Sequence, residues 1–180
     1  MNKILRFFWL FIKTLLRLIL KPLSFIPALV MMYIIFSFSA QTGETSSNLS
    51  YKVTKEIVIV ADQVLDKNMS EAQIDAAIQK YHFYVRKLAH FTEYMLLAIS
   101  VAFPLYVYGL RGIWLVIFAG AFCVGFAGLD EYHQSFVAGR GPSKRDVCID
   151  SAGAFLGIYI TRIFGFIGRK TIFYPLSKHR

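Results

Sequence analysis

Acidic residues are scarce in this sequence and confined to part of it. Of 180 residues, 11 are Asp or Glu; none precedes Glu44, none lies between Glu93 and Asp130, and none follows Asp150. Cysteine is also sparse. Cys123 and Cys148 lie in or beside apolar runs, with no spacing that suits zinc or a disulfide framework, and read as small packing residues. There is no Gly-rich phosphate loop, zinc pattern or RNA-binding signature, so the net charge of +9 does not point to nucleic acid. Charged residues of both signs make up 17%, against 56% hydrophobic and a mean hydropathy of +0.51. That balance excludes an ordinary soluble domain, and several runs are long enough to cross a bilayer.

What is present follows an order along the chain. In residues 1–22, Lys3, Arg6, Lys13, Arg17 and Lys21 recur at helical spacing among Phe, Trp, Leu and Ile. This predicts a basic amphipathic helix in the headgroup region, bound to anionic lipid. Its interior charges make it a poor span. As a signal peptide it would have an unusually long basic start, and Phe38 would sit badly before a cut after Ala40, so the segment is expected to be retained. Pro22 and Pro27 separate it from a first span at about 23–40.

An outer segment, 41–87, follows. Leu49, Val53, Ile57, Val60 and Val64 predict an amphipathic helix from Asn48 to Leu65, and Asp66 to Met69 a turn. Ser70 with Gln73 forms a capping-box start for a helix leading into the second span, about 88–108, whose far end Pro104 is expected to bend. Gly109, Arg111 and Gly112 make a tight turn before the third span, about 113–129. The fourth covers about 147–167, and 169–180 is a basic tail. The fold class is an all-α four-helix membrane bundle.

Orientation follows from charge. With a cytoplasmic N-terminus, the inner segments hold 11 Lys and Arg and no acid, and the outer ones hold nine Lys and Arg with all 11 acids. The inner face is then +11 and the outer −2, and the basic ends satisfy the positive-inside rule. Both termini are expected in the cytoplasm.

This topology gathers three helix ends on the outer side. At the start of the second span, Arg86, His90 and Glu93 share one face, and Lys87, His90 and Tyr94 an overlapping one. Asp130, His133 and Gln134 share a face if the third helix continues one turn beyond its apolar run. Asp146 and Asp150 are one turn apart at the start of the fourth. Gly153, Gly157, Thr161 and Gly165 form a ridge of small residues on which membrane helices pack closely, which turns Asp146 and Asp150 toward the bundle interior. Gly120, Ala121, Gly125 and Gly128 predict close packing of the third span as well.

RKLAHFTEY at 86–94, DEYHQSFVAGRGPSKRDVCIDSAGAFLG at 130–157 and FSFSAQTGETS at 36–46 together resemble the VanZ-like family. The likeness covers most of residues 30 to 160. Its pattern matches Lys87, His90, Tyr94, Asp130, Glu131, Gln134, Arg140, Asp146 and Gly153; where the family carries a polar amide or acid, this chain has Asp150. The resemblance implies a four-helix membrane domain over 23–168 in a bacterial inner membrane and a link to low-level teicoplanin resistance. It does not imply a reaction.

Three readings of the outer cluster stand side by side. It is an ion-pair network if Arg86, Lys87, Arg140, Lys144 and Arg145 only neutralise Asp130, Glu131, Asp146 and Asp150. It is a binding site if Arg140, in the Gly-rich turn AGRGPSKR, grips the phosphate of a lipid headgroup or a lipid-linked cell-wall precursor; a lipoglycopeptide is a further candidate partner. It is a hydrolase acting on a lipid phosphate if His90, Glu93, Asp130, Glu131, His133 and Asp150 hold a divalent metal or act as acid and base; His90, Asp130 and His133 are the metal candidates. Non-enzymatic binding or shielding of an anionic amphiphile is the preferred reading, and the sequence leaves catalysis open. Arg162 reads as snorkelling to the interface, Trp9, Trp114 and Tyr174 as interfacial anchors, and His82 and His179 carry no partner pattern.

Overall fold

Inside a bilayer a long apolar run must satisfy its own backbone, and the helix is how a single segment does so. The computed structural model describes residues 3–170. They form α1 (Lys3–Leu23), α2 (Ile26–Ser39), α3 (Gly43–Leu65), α4 (Glu71–Val107), α5 (Gly112–Gln134) and α6 (Lys144–Lys170), with no strand among the described residues. The tail beyond Lys170, with Tyr174 and His179, lies outside the described residues, as do the side chains of Lys3, Arg6, Lys13, Arg17, Arg169 and Lys170. Four segments are long and apolar enough to cross a membrane: Lys21–Ser39, α4, α5 and the Lys144–Gly168 part of α6.

The helix ends follow local chemistry. α1 continues through Pro22 and breaks one residue later than expected, and Pro27 stands in the first turn of α2, where a missing N–H costs nothing. α3 begins at Gly43, five residues before the expected Asn48, because the Thr42 hydroxyl accepts from Thr45 N at 3.2 Å. The capping box at α4 forms as expected: Gln73 N donates to Ser70 Oγ at 3.4 Å and Ser70 N to Gln73 Oε1 at 2.9 Å. Asp66 and Asn68 turn the chain at positive φ, and Gly109 and Gly112 do so before α5. α5 runs to Gln134, so the expected extra turn carrying Asp130, His133 and Gln134 is helical. α4 has 37 residues, roughly 55 Å of helix, far more than a bilayer's hydrocarbon core. Its N-terminal part therefore projects from the bundle, with α3 packed against it.

α4 is the axis of the bundle and touches α2, α3, α5 and α6. Its buried residues Tyr94, Leu97, Ala98, Val101 and Ala102 meet Ala119, Cys123 and Ala127 of α5 and Ala154 and Ile158 of α6 in one core. The expected ridge on α6 is the closest seam. A Cβ on Gly153 would strike the carbonyl of Phe91, one on Gly157 that of Met95, and one on Gly165 would come within 2.5 Å of Tyr106 Cε1. Close approach at small residues replaces the hydrophobic drive that lipid removes. The companion expectation for α5 holds only at Gly120, where an added Cβ would lie 3.0 Å from Phe155 Cε1; Ala121 is exposed, and Gly125 and Gly128 have nothing within 4 Å. Spacing alone does not say which small residues face a helix and which face lipid.

α2 fixes the two ends of the molecule. Near its start, the Tyr108 hydroxyl at the end of α4 donates to Lys21 O at 3.0 Å and lies 2.6 Å from Ser24 Oγ. Its last turn lies beside the 135–143 loop, where Arg140 Nη2 donates to Phe38 O at 3.0 Å. α2, α4, α5 and α6 thus alternate in direction, and the ends of α2 and α5 meet the middle of α4 and the start of α6 at one polar end.

Candidate functional site

The polar end is built on two braces. The first is backbone to backbone: Gly43 N donates to Ala138 O at 3.0 Å, and a Cβ on Gly43 would strike the carbonyl of Gly139, itself at φ +73°. Glycine at both positions lets the start of α3 and the Arg140 loop touch. The second runs through Glu131, whose Oε1 accepts from Ser143 N at 2.5 Å while Ser143 Oγ accepts from Asp146 N at 3.3 Å. The end of α5, the loop and the first turn of α6 are thereby tied together.

Into this frame the helices deliver the expected residues. Lys87 of α4 and Asp146 of α6 pair through both carboxylate oxygens at 2.6 Å. Gln134 Nε2 donates to Asp130 Oδ2 at 2.9 Å, while Asp130 Oδ1 and the Ser39 hydroxyl of α2 are buried without a hydrogen bond. Asp130, Glu131, Gln134 and Asp150 are all less than 10% exposed. Asp150, 3% exposed in the second turn of α6, faces the interior. His90 Nδ1 lies 3.8 Å from Glu93 Oε2, beyond hydrogen-bond reach. His133 stacks its ring on Phe36 at 4.5 Å between centroids.

The full ion-pair network does not form. Among the described residues Lys87–Asp146 is the one Lys or Arg pair with a carboxylate. Lys144 and Arg145 are exposed, and Arg145 lies over the Phe83 ring at 5.9 Å. Helical register explains Lys144, which two residues before the α4-facing Asp146 points the other way, whereas Arg145 reaches α4 only at the Phe83 ring.

What remains is a set of buried polar atoms with no hydrogen bond: Ser39 Oγ, His90 Nδ1, Tyr94 Oη, Asp130 Oδ1, His133 Nδ1, Asp150 Oδ1, and both Nε and Nη1 of Arg140. Buried polar groups are ordinarily satisfied, and such a concentration at one level of a bundle marks a place for water or ligand. A cavity of about 250 Å³ opens beside two members of this set, His90 and Arg140. Arg86, His90, Glu93 and Arg140 line it on one side, and Phe38, Leu49 and Val53 on the other. Burial, with Arg86 second, holds the Arg140 pKa below its ordinary value, against the pull of Asp130, Glu131 and Glu93. A guanidinium still stays charged, so the cavity wall is cationic.

His90, Asp130 and His133 do not gather around a common point that would hold a metal, nor do any three His, Cys, Asp or Glu side chains among the described residues. Ser39, Gln41, Gly43 and Ser143 belong to the site and were not singled out from sequence. Ser39, Gln41 and Gly43 lie in the FSFSAQTGETS stretch, which was the available signal.

A bundle of this kind, with four helices long and apolar enough to cross a membrane and a cavity at its polar end, defines a multi-pass α-helical membrane protein. The family model described as VanZ/LLP1 matches residues 24–165. The chain belongs to the VanZ/LLP1 family. No curated protein and no solved structure matches it.

Proposed function

We propose that this protein binds and shields an anionic amphiphile, a lipid headgroup or a lipid-linked cell-wall intermediate, in the polar-end cavity. In this reading the cavity faces the outer leaflet of the bacterial inner membrane and both termini are cytoplasmic. One observation carries it. Arg140 uses one donor on Phe38 O and holds two buried, unpartnered N–H donors beside a cavity that also has Arg86 in its wall. Buried donors left unmade are expensive, and a phosphate oxygen is the acceptor that suits a guanidinium. The apolar wall of Phe38, Leu49 and Val53 suits the adjoining hydrocarbon.

The test is expression in a glycopeptide-susceptible bacterium. Wild type is expected to lower teicoplanin susceptibility without altering precursor composition. Arg140→Ala and Asp130→Asn are expected to insert normally and give no protection. Full protection from both inserted variants contradicts the site. A hydrolase is favoured by one feature only, the unpartnered His90 imidazole 3.8 Å from Glu93 in the same cavity. It requires turnover of a lipid phosphate that is lost in His90→Ala.

A further inference from the structure

The opposite end of the bundle carries basic side chains in a different setting. Arg111, just before α5, and Arg162 of α6 line one cavity of about 500 Å³ together with Tyr106, Tyr159 and Ile163. Each guanidinium lies over a tyrosine ring at 5.4 Å, Arg111 over Tyr106 and Arg162 over Tyr159. Among the described residues neither forms an ion pair. The sequence offers none at this level, because no acid lies between Glu93 and Asp130 or after Asp150. The tyrosines orient the two cations by cation–π contact without neutralising them.

A second cavity of about 300 Å³ starts from the same Arg111 and Tyr106 and continues along Phe103, Val107, Phe164 and Gly165. Phe103, Val107 and Phe164 are 54–69% exposed, so this slot opens sideways, where lipid surrounds a spanning bundle. Two uncompensated guanidiniums next to a lateral apolar slot match the shape of an amphiphile with an anionic head. Arginines that merely snorkel need no shared cavity.

We propose that this end is a second binding site, for an anionic phospholipid, with its phosphate between Arg111 and Arg162 and an acyl chain in the adjoining slot. The site is independent of the polar-end reading, because it shares no residue with it.

Trp114, one turn from Arg111 and 60% exposed, is a built-in reporter. The sequence has two tryptophans, and Trp9→Phe leaves Trp114 alone. That protein is reconstituted in zwitterionic vesicles, and brominated phosphatidylglycerol or brominated phosphatidylcholine is titrated in. Selective quenching by the anionic lipid is expected. Arg111→Gln with Arg162→Gln should weaken it about tenfold, the effect of losing a charge-assisted contact; Arg111→Lys with Arg162→Lys should retain part of it. Equal quenching by both lipids overturns the proposal, and so does selective quenching that persists in the correctly inserted Gln variant. Loss of selectivity on adding inorganic phosphate at matched ionic strength overturns the lipid and assigns the arginines to a soluble phosphate. Persistence keeps the lipid.

Discussion

Arg140 meets the end of α2 through a single hydrogen bond and keeps its remaining buried donors turned to the polar-end cavity. Lysine in its place offers a point charge on a flexible stem and no planar fork. Arg140→Lys is therefore expected to lose most of the affinity for a lipid phosphate, roughly tenfold, while keeping the thermal midpoint of the purified protein. Lys87 and Asp146 make a different contribution, since they satisfy each other. Lys87→Ala and Asp146→Ala should each lower stability by roughly 1 kcal/mol, and a double-mutant cycle followed by thermal unfolding in detergent should show the two losses to be non-additive. At this scale the sequence was legible where charge beside a membrane is costly: the acids, Lys87, His90 and Arg140 all reach the polar end. Pairing was less legible. Lys144 and Arg145 stand as close to Asp146 in sequence as any cation, but the first turn of α6 exposes them. Ser39 and Ser143 are not legible, because a serine at a helix end is ordinary until the residues around it are known.

Among the elements, the α4–α6 seam determines the spacing of the site. Gly153 and Gly157 bring α6 onto the backbone of α4 at Phe91 and Met95, next to His90, Glu93 and Tyr94. A methyl group there must push the helices apart, and overpacking of this kind costs roughly 1–3 kcal/mol. Gly153→Ala is expected to lower the thermal midpoint and weaken ligand binding together. Gly125→Ala, with open space around it, should change neither. An unchanged midpoint in Gly153→Ala would refute the seam. The repeat of small residues made α6 readable from sequence, because a spacing of four lays residues along one helical stripe. The same argument misplaced Gly125 and Gly128, since periodicity gives a stripe but not the neighbour it faces. The start of α3 was hidden for a related reason: its first turn is polar, and its Thr42 cap gains meaning only with the Gly43 contact to the Arg140 loop.

Across the whole molecule, the charge asymmetry that sorts 11 acids away from the termini becomes a bundle with two chemically distinct ends. Gly141 lies in the exposed loop at the polar end with open space around it. In a Cys148→Ser background, Gly141→Cys should react with a membrane-impermeant thiol reagent in intact cells; labelling only after permeabilisation would invert the proposed orientation. The alternation of spans and the class of fold were legible because hydropathy and positive-inside bias act on long segments. The cavity was not, because it arises between the end of α2, the first half of α3, the middle of α4 and the Arg140 loop, and no local pattern encodes their convergence. The central claim is that this cavity holds an anionic amphiphile through Arg140. Native mass spectrometry of the purified protein with a lipid phosphate and its uncharged alcohol analogue tests it most directly. Wild type and the Arg111→Gln, Arg162→Gln variant are predicted to retain the phosphate over the alcohol, and the same variant carrying Arg140→Ala to retain neither preferentially. Equal retention of the phosphate by the Arg111→Gln, Arg162→Gln variant with and without Arg140→Ala would contradict the account.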